Sequence, residues 1–207
     1  MTTIHIDGDK SSPLFFFAHG AGAGYDHAFM KSMARKLVAR GIRVVRFNFP
    51  YMDRRAETGK KSPPDRLPKL LDCYNDVLEI IGESNVVIGG KSMGGRVASH
   101  LADHDAVLAV ACLGFPFHPP GKPEVNKGEH LSEIAKPCLI LQGERDTFGN
   151  KDEFAGFTLA KQVEVSFLND GDHGFKPRKS SGYTEEQNLE QAADKLATFI
   201  KAQHAQS

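Results

Sequence analysis

Cysteine is scarce in this chain, and no charge of one sign prevails. The 207 residues hold three cysteines, Cys73, Cys112 and Cys138. The number is odd and no C-x-x-C occurs, which argues against a disulfide framework or a thiol redox motif. Cys112 and Cys138 fall in apolar runs, so buried free thiols in a reducing compartment are expected. Lysine plus arginine and aspartate plus glutamate are equal at 26 each. A formal charge of zero offers no global attraction to nucleic acid or a membrane surface, and neither partner is expected. No apolar run approaches the ~20 residues a membrane span takes. The start, Met1-Thr2-Thr3-Ile4-His5-Ile6-Asp7, has neither a basic segment nor an apolar core, so no secretory leader is expected. A soluble cytoplasmic protein is the expectation. With 40% hydrophobic and 25% charged residues, the length suits one domain, 1–207, with a substantial core.

Strand-like and helix-like patterns alternate along the chain. Leu14 to Ala18 reads as a strand. From His27 to Arg40 the apolar residues fall on one helical face, and Gly41 stops it. A strand from Val44 to Phe49 follows, then a helix carrying Leu67, Leu70, Leu71, Tyr74, Val77, Leu78 and Ile81, closed by Gly82. Further strands are expected at 86–88, 106–113, 138–141 and 163–168, with a short helix between the last two and an amphipathic helix over Leu189 to Ile200. Alternation of this kind means a mostly parallel central sheet flanked by helices. Two stretches read as irregular, Tyr51 to Pro64 and Phe115 to Pro137. Neither is long enough for a multi-helix cap, which predicts a fairly open site.

Chemistry concentrates at strand ends. Gly90-Lys91-Ser92-Met93-Gly94 follows the apolar run Val86-Val87-Ile88 and precedes a helix-like run, the setting of a nucleophile elbow. Lys91-Ser92 also looks like the end of a phosphate-binding loop, but position 85, where the first glycine must stand, is Asn85. Lys91 is expected to flank the elbow with its charge near the mouth of the site. Asp146 and His173 each lie in a loop just past a later strand, and in a parallel sheet such ends share one edge. Ser92, Asp146 and His173 are therefore read as nucleophile, orienting acid and general base. Asp170 and Asp172 fit a solvated turn around Gly171 instead. A serine hydroxyl needs a base whose pKa lies near working pH, and imidazole meets that need. The oxyanion donors are expected to be the backbone N–H of Met93 and that of Ala21, with Gly22 second, in the loop His19-Gly20-Ala21-Gly22-Ala23-Gly24. On the substrate side stand His19, Tyr25, Phe115 and Phe175. His19 either orients the oxyanion loop or caps the strand, and the aromatics either line an acyl pocket or pack in the core. Arg54, Arg55, Lys60, Lys61, Lys176, Arg178 and Lys179 form two basic clusters. They read either as a rim that steers anionic substrates or as solvated loops. Asp172-His173 has no second ligand cluster, so no metal is expected, nor any cofactor.

These motifs resemble the α/β-hydrolase superfamily over nearly the whole chain, from about Phe15 to Ile200. The resemblance rests on His19-Gly20, the Ser92 elbow, Gly143-Glu144-Arg145-Asp146 and Gly171-Asp172-His173. Gly89-Gly90-Lys91-Ser92-Met93-Gly94-Gly95-Arg96 and the stretch Leu113 to Lys122 look more narrowly like a compact subgroup. It is related to dienelactone-hydrolase-like proteins and includes eukaryotic testis-expressed and chromatin-complex proteins. The resemblance implies a three-layer α/β-hydrolase fold with no large cap domain. Dienelactone hydrolases proper use cysteine where this chain has Ser92, which removes that activity from the expectation. What remains is a serine hydrolase of the carboxylesterase or thioesterase kind, cleaving a small-molecule ester or thioester through an acyl-enzyme. The alternative is a non-catalytic scaffold or binding protein that keeps the fold.

Overall fold

Seven strands make one sheet in the order β1-β3-β2-β4-β5-β6-β7. A computed structural model of the chain describes residues 2–206. The strands are β1 (Ile4–Asp7), β2 (Leu14–Ala18), β3 (Arg43–Phe47), β4 (Val86–Lys91), β5 (Val107–Leu113), β6 (Cys138–Gly143) and β7 (Val163–Leu168). Among the described residues, only β1 runs antiparallel, against β3; every other pairing is parallel. The helices are α1 (Ala28–Val38), α2 (Pro50–Thr58), α3 (Leu67–Ile81), α4 (Met93–Ser99) and α5 (Glu185–His204).

Both faces of β2 to β6 are covered, which is why these strands read as apolar runs, whereas the edge strand β7 is only partly buried. Side chains alternate between two cores with the period of the pleat. Phe16, Val45, Ile88, Val110 and Ile140 join the residues of α3 and α4, such as Tyr74, Val77 and Val97. Phe15, Phe17, Val44, Val87, Ala111 and Leu139 join those of α1 and α5, such as Met33, Leu37, Ala193 and Leu196. Three layers result, and among the described residues no second layer of helices covers the strand ends. The fully buried rings of Phe15, Phe16 and Phe17 contribute about 2–3 kcal/mol each from burial. All three cysteines are buried and free.

The helix ends follow local chemistry. Thr184 and Gln187 form a reciprocal capping box at the start of α5, and the His27 ring accepts the Phe29 N–H at the start of α1. Across the α1–α5 seam, Lys36 pairs with Glu186 and Glu190, and Arg40 with Glu190 and Asp194.

Two parts of the architecture differ from the sequence expectation. The stretch expected to be irregular from Tyr51 opens as helix α2. Pro50 pre-sets the first turn, and Gly59 closes it in the left-handed region at φ 68°. Only Tyr51 and Met52 of this helix are buried, too few to mark an apolar stripe. β1 was not expected either. It is a four-residue edge strand with two exposed positions, so it carries little alternation to read.

Candidate active site

Strand β4 ends at Lys91, and Ser92 turns the chain directly into α4 with φ 52° and ψ −118°. A non-glycine residue at positive φ is strained, and the packing around it leaves no alternative path. A Cβ on Gly90 would lie 2.5 Å from the Gly94 carbonyl carbon and 2.6 Å from the Ala18 oxygen. One on Gly94 would lie 2.5 Å from the Ala18 oxygen and 2.6 Å from that of His19. The glycines flanking Ser92 let α4 sit against the end of β2.

Two hydrogen bonds of 2.8 Å join the three residues read from strand ends. His173 Nε2 faces Ser92 Oγ, and His173 Nδ1 faces Asp146 Oδ2. A carboxylate only accepts, so Nδ1 carries the proton and Nε2 is left to accept the serine O–H. Asp146 is fully buried. Its Oδ1 accepts the Phe148 N–H at 2.8 Å, and its Oδ2 accepts from Gln142 Nε2 at 3.0 Å. Burial pushes the His173 imidazole below its ordinary range, and the Lys91 charge acts in the same direction. The Asp146 hydrogen bond opposes both. The imidazole is therefore neutral at neutral pH, the form a general base needs.

The loop after β2 is held by its carbonyls. His19 is buried, with Nδ1 donating to the Gly20 oxygen at 2.7 Å and Nε2 accepting the Phe49 N–H at 3.0 Å. Burial drives its pKa down to about 4, so this ring works as a neutral bridge. The Tyr51 hydroxyl lies 3.2 Å from the Gly20 oxygen and 3.1 Å from the Ala21 oxygen. In a trans peptide the N–H points opposite to the C=O. Fixing those carbonyls turns the N–H groups of Ala21 and Gly22 away from Tyr51. Among the described residues, no backbone acceptor engages the N–H of Ala21, Gly22 or Met93. A Cβ on Gly20 would stand 3.6 Å from Ser92 Cβ, which puts this loop against Ser92.

A cavity of about 780 Å³ opens beside Ser92 and His173, walled by Ala21, Ala23, Phe29, Met30, Phe148 and Leu189, with Lys91, Ser32 and Glu185 among its polar members. The four residues expected on the substrate side do not line it. His19 anchors the loop instead. Tyr25 is tied down by Asn48 and by Arg46, which donates to its carbonyl at 2.7 Å. Phe115 is buried against Phe117 at a ring separation of 4.8 Å, and Phe175 is buried against Phe29 at 5.8 Å. The loops fold inward at Phe115 and Phe175 because these rings complete the two cores under the site. The two basic clusters do not line the wall. Arg54 pairs with Asp65, Arg55 caps the Ser62 carbonyl, and Arg178 closes over Asp170. That last pair buries Asp170, which was expected to be solvated.

A family description, alpha/beta hydrolase domain, matches residues 11–201. The chain belongs to the α/β-hydrolase family. Solved structures similar to this α/β-hydrolase chain include Est1E from Butyrivibrio proteoclasticus with ferulic acid bound, at 15% identity and a TM-score of 0.72, covering 97% of this chain and 96% of that one. A dienelactone hydrolase from Anabaena variabilis matches at 17% identity and 0.71, covering 97% and 91%. An alpha-beta serine hydrolase homologue from Coxiella burnetii matches at 17% and 0.70, covering 95% and 90%. At such identities the likeness is one of fold. Among the described residues of this α/β-hydrolase chain, no helix is long and apolar enough to cross a membrane.

Sequence reasoning overlooked several parts of this hydrolase-family site. Gln142 is fully buried at the end of β6. Its Oε1 accepts the Phe115 N–H at 2.8 Å, and its amide N–H groups reach Asp146 and the carbonyls of Phe115 and Gly149. A lone amide after Cys138-Leu139-Ile140-Leu141 was the available signal, because a buried amide must find partners. Phe29 and Met30 sit in the first turn of α1, and Phe148 lies over the His173 ring at 4.3 Å. Their apolar character fitted ordinary core packing, so nothing in the pattern marked them as cavity wall.

Proposed function

We propose that this α/β-hydrolase is a serine hydrolase that cleaves an ester or thioester through an acyl-enzyme. The observation that carries the reading is the unbroken chain Ser92 Oγ–His173–Asp146, with both links at 2.8 Å and the nucleophile held at positive φ. Ser92 Oγ attacks the substrate carbonyl carbon as its proton passes to His173 Nε2. The Asp146 carboxylate stabilises the imidazolium through Nδ1–H. The oxyanion is taken by the N–H of Met93 and that of Ala21, with Gly22 as the alternative donor. One such donor is worth about 3–4 kcal/mol in the transition state. Collapse breaks the bond to the leaving oxygen or sulfur, which takes the proton back from Nε2. A water then repeats the sequence and releases the acid.

The wall supports an uncharged, apolar acyl or aryl group as the preferred substrate. Lys91 is the one lysine or arginine among the lining residues, and its ammonium is occupied by the His173 carbonyl. Est1E holds an aromatic acid, ferulic acid, on a similar fold, which favours including aryl esters among the candidates. The test is hydrolysis of p-nitrophenyl esters of increasing chain length, feruloyl esters and acyl thioesters by wild type and Ser92→Ala. Turnover that rises with apolar acyl size and vanishes in Ser92→Ala is expected. Folded wild type that turns over none of them favours the scaffold reading.

A further inference from the structure

We propose that Lys91 is a positioning residue for the general base, clamping the His173 loop to the elbow strand so that the imidazole stays seated between Ser92 and Asp146. This rests on the hydrolase reading for its consequence, though the contact itself does not. Lys91 precedes the nucleophile on β4, and its Nζ donates to the His173 carbonyl at 2.7 Å. The same ammonium lies 5.7 Å from the ring centres of Phe29 on α1 and Phe175 in the base's own loop. One side chain therefore holds the backbone of the base and a ring two residues beyond it.

The path to that carbonyl is built into the fold. Gly114, at φ +67°, follows β5, and a Cβ there would fall 2.7 Å from Lys91 Nζ and 3.2 Å from the His173 oxygen. From the other side, Asn188 on α5 donates to the Phe175 carbonyl at 2.8 Å. Arg145, after β6, holds the ends of the loop through the Asp170, Gly171 and Lys176 carbonyls, and Lys91 is the grip on the backbone of His173 itself. Since a misplacement of ~1 Å at a reacting group can lower rate about a hundredfold, a fixed His173 backbone has direct kinetic weight.

A lysine does more here than an apolar chain of equal length. Its charge faces His173 and favours the neutral imidazole. Burial pulls the ammonium down to about 8, while Asp146 from the loop after β6 and Asp172 beside the base favour its charge. The groups bearing on His173 are the same two carboxylates, Lys91 and the Ser92 hydroxyl.

Lys91→Met keeps the unbranched chain between the two rings and removes the donor and the charge. The expected result is fluorophosphonate labelling of Ser92 slowed tenfold or more, together with a His173 imidazole titration, read by NMR, displaced to higher pH. A folded Lys91→Met protein with wild-type labelling rate and wild-type titration overturns the proposal. Wild type that fails to label sinks the hydrolase reading instead, and the titration still decides the Lys91 contact. Should Lys91→Met not fold, Lys91→Leu, which is shorter and likewise lacks the donor and the charge, is the second variant: slowed labelling of a folded protein supports the clamp, and a wild-type labelling rate with a wild-type His173 titration overturns it.

Discussion

Asp146 has no solvent contact, so its carboxylate acts on His173 without competition from water. Replacing it by Asn reverses a donor and an acceptor at Nδ1 and favours the wrong imidazole tautomer. Asp146→Asn is expected to lower turnover by up to about 10⁴-fold with the fold retained, which ester kinetics and a thermal melt together check. Tyr51 acts one step further out. Tyr51→Phe removes the hydroxyl that steadies the Gly20 and Ala21 carbonyls. A fall in kcat with little change in KM is expected, because the interaction it supports forms at the oxyanion. Gly94→Ala forces a methyl onto two backbone oxygens that no flexible side chain can relieve. A lower melting temperature and loss of labelling at Ser92 are expected from that change.

Tyr74 shows how a helix secures the sheet that presents the site. Its hydroxyl lies in the core, 2.9 Å from the Gly89 oxygen and 3.1 Å from that of Phe16, and it accepts the Gly89 N–H at 3.0 Å. Tyr74→Phe leaves those buried groups short of a partner. It is expected to cost about 1–3 kcal/mol, read as a lower urea midpoint. The elements were legible where a full face is buried. The period-2 division of Phe15, Phe16 and Phe17 between two cores and the stripe along α3 both follow from simple burial. The convergence of Ser92, Asp146 and His173 was legible because only glycine fits two residues to either side of Ser92, Asp146 follows a fully buried strand, and His173 follows a strand run that ends in the buried Leu168. Helix α2 and strand β1 were not, since each buries too few side chains to leave a period. The cavity wall was not legible either. Phe29 and Phe148 face a void that exists only once α1, α5 and the loop after β6 are assembled.

At the scale of the molecule, the fold holds two neutral imidazoles whose protonation it resists, His19 at the end of β2 and His130 beside the C-terminal end of α4. His19 is held near a pKa of about 4 by burial, and so is His130, where His100 and Arg96 add repulsion. Both values lie below the ordinary 6.5, so the unfolded chain takes up these protons first. Their contribution is complete above about pH 6.5 and is lost as pH falls from there towards 4. For His19 alone the loss is roughly 3 kcal/mol, and a urea midpoint that declines across this window is expected. A midpoint flat from pH 7 to 4 would contradict the neutral bridge at His19. On the function proposed above, the assembled edge, not any one loop, makes Ser92 the nucleophile. Treatment of the folded protein with a fluorophosphonate, followed by intact mass and peptide mapping, tests that claim most directly. One adduct per chain is expected, on Ser92, lost in Ser92→Ala and strongly slowed in His173→Gln. A folded wild type that takes up no adduct, or takes it up at another residue, would contradict it.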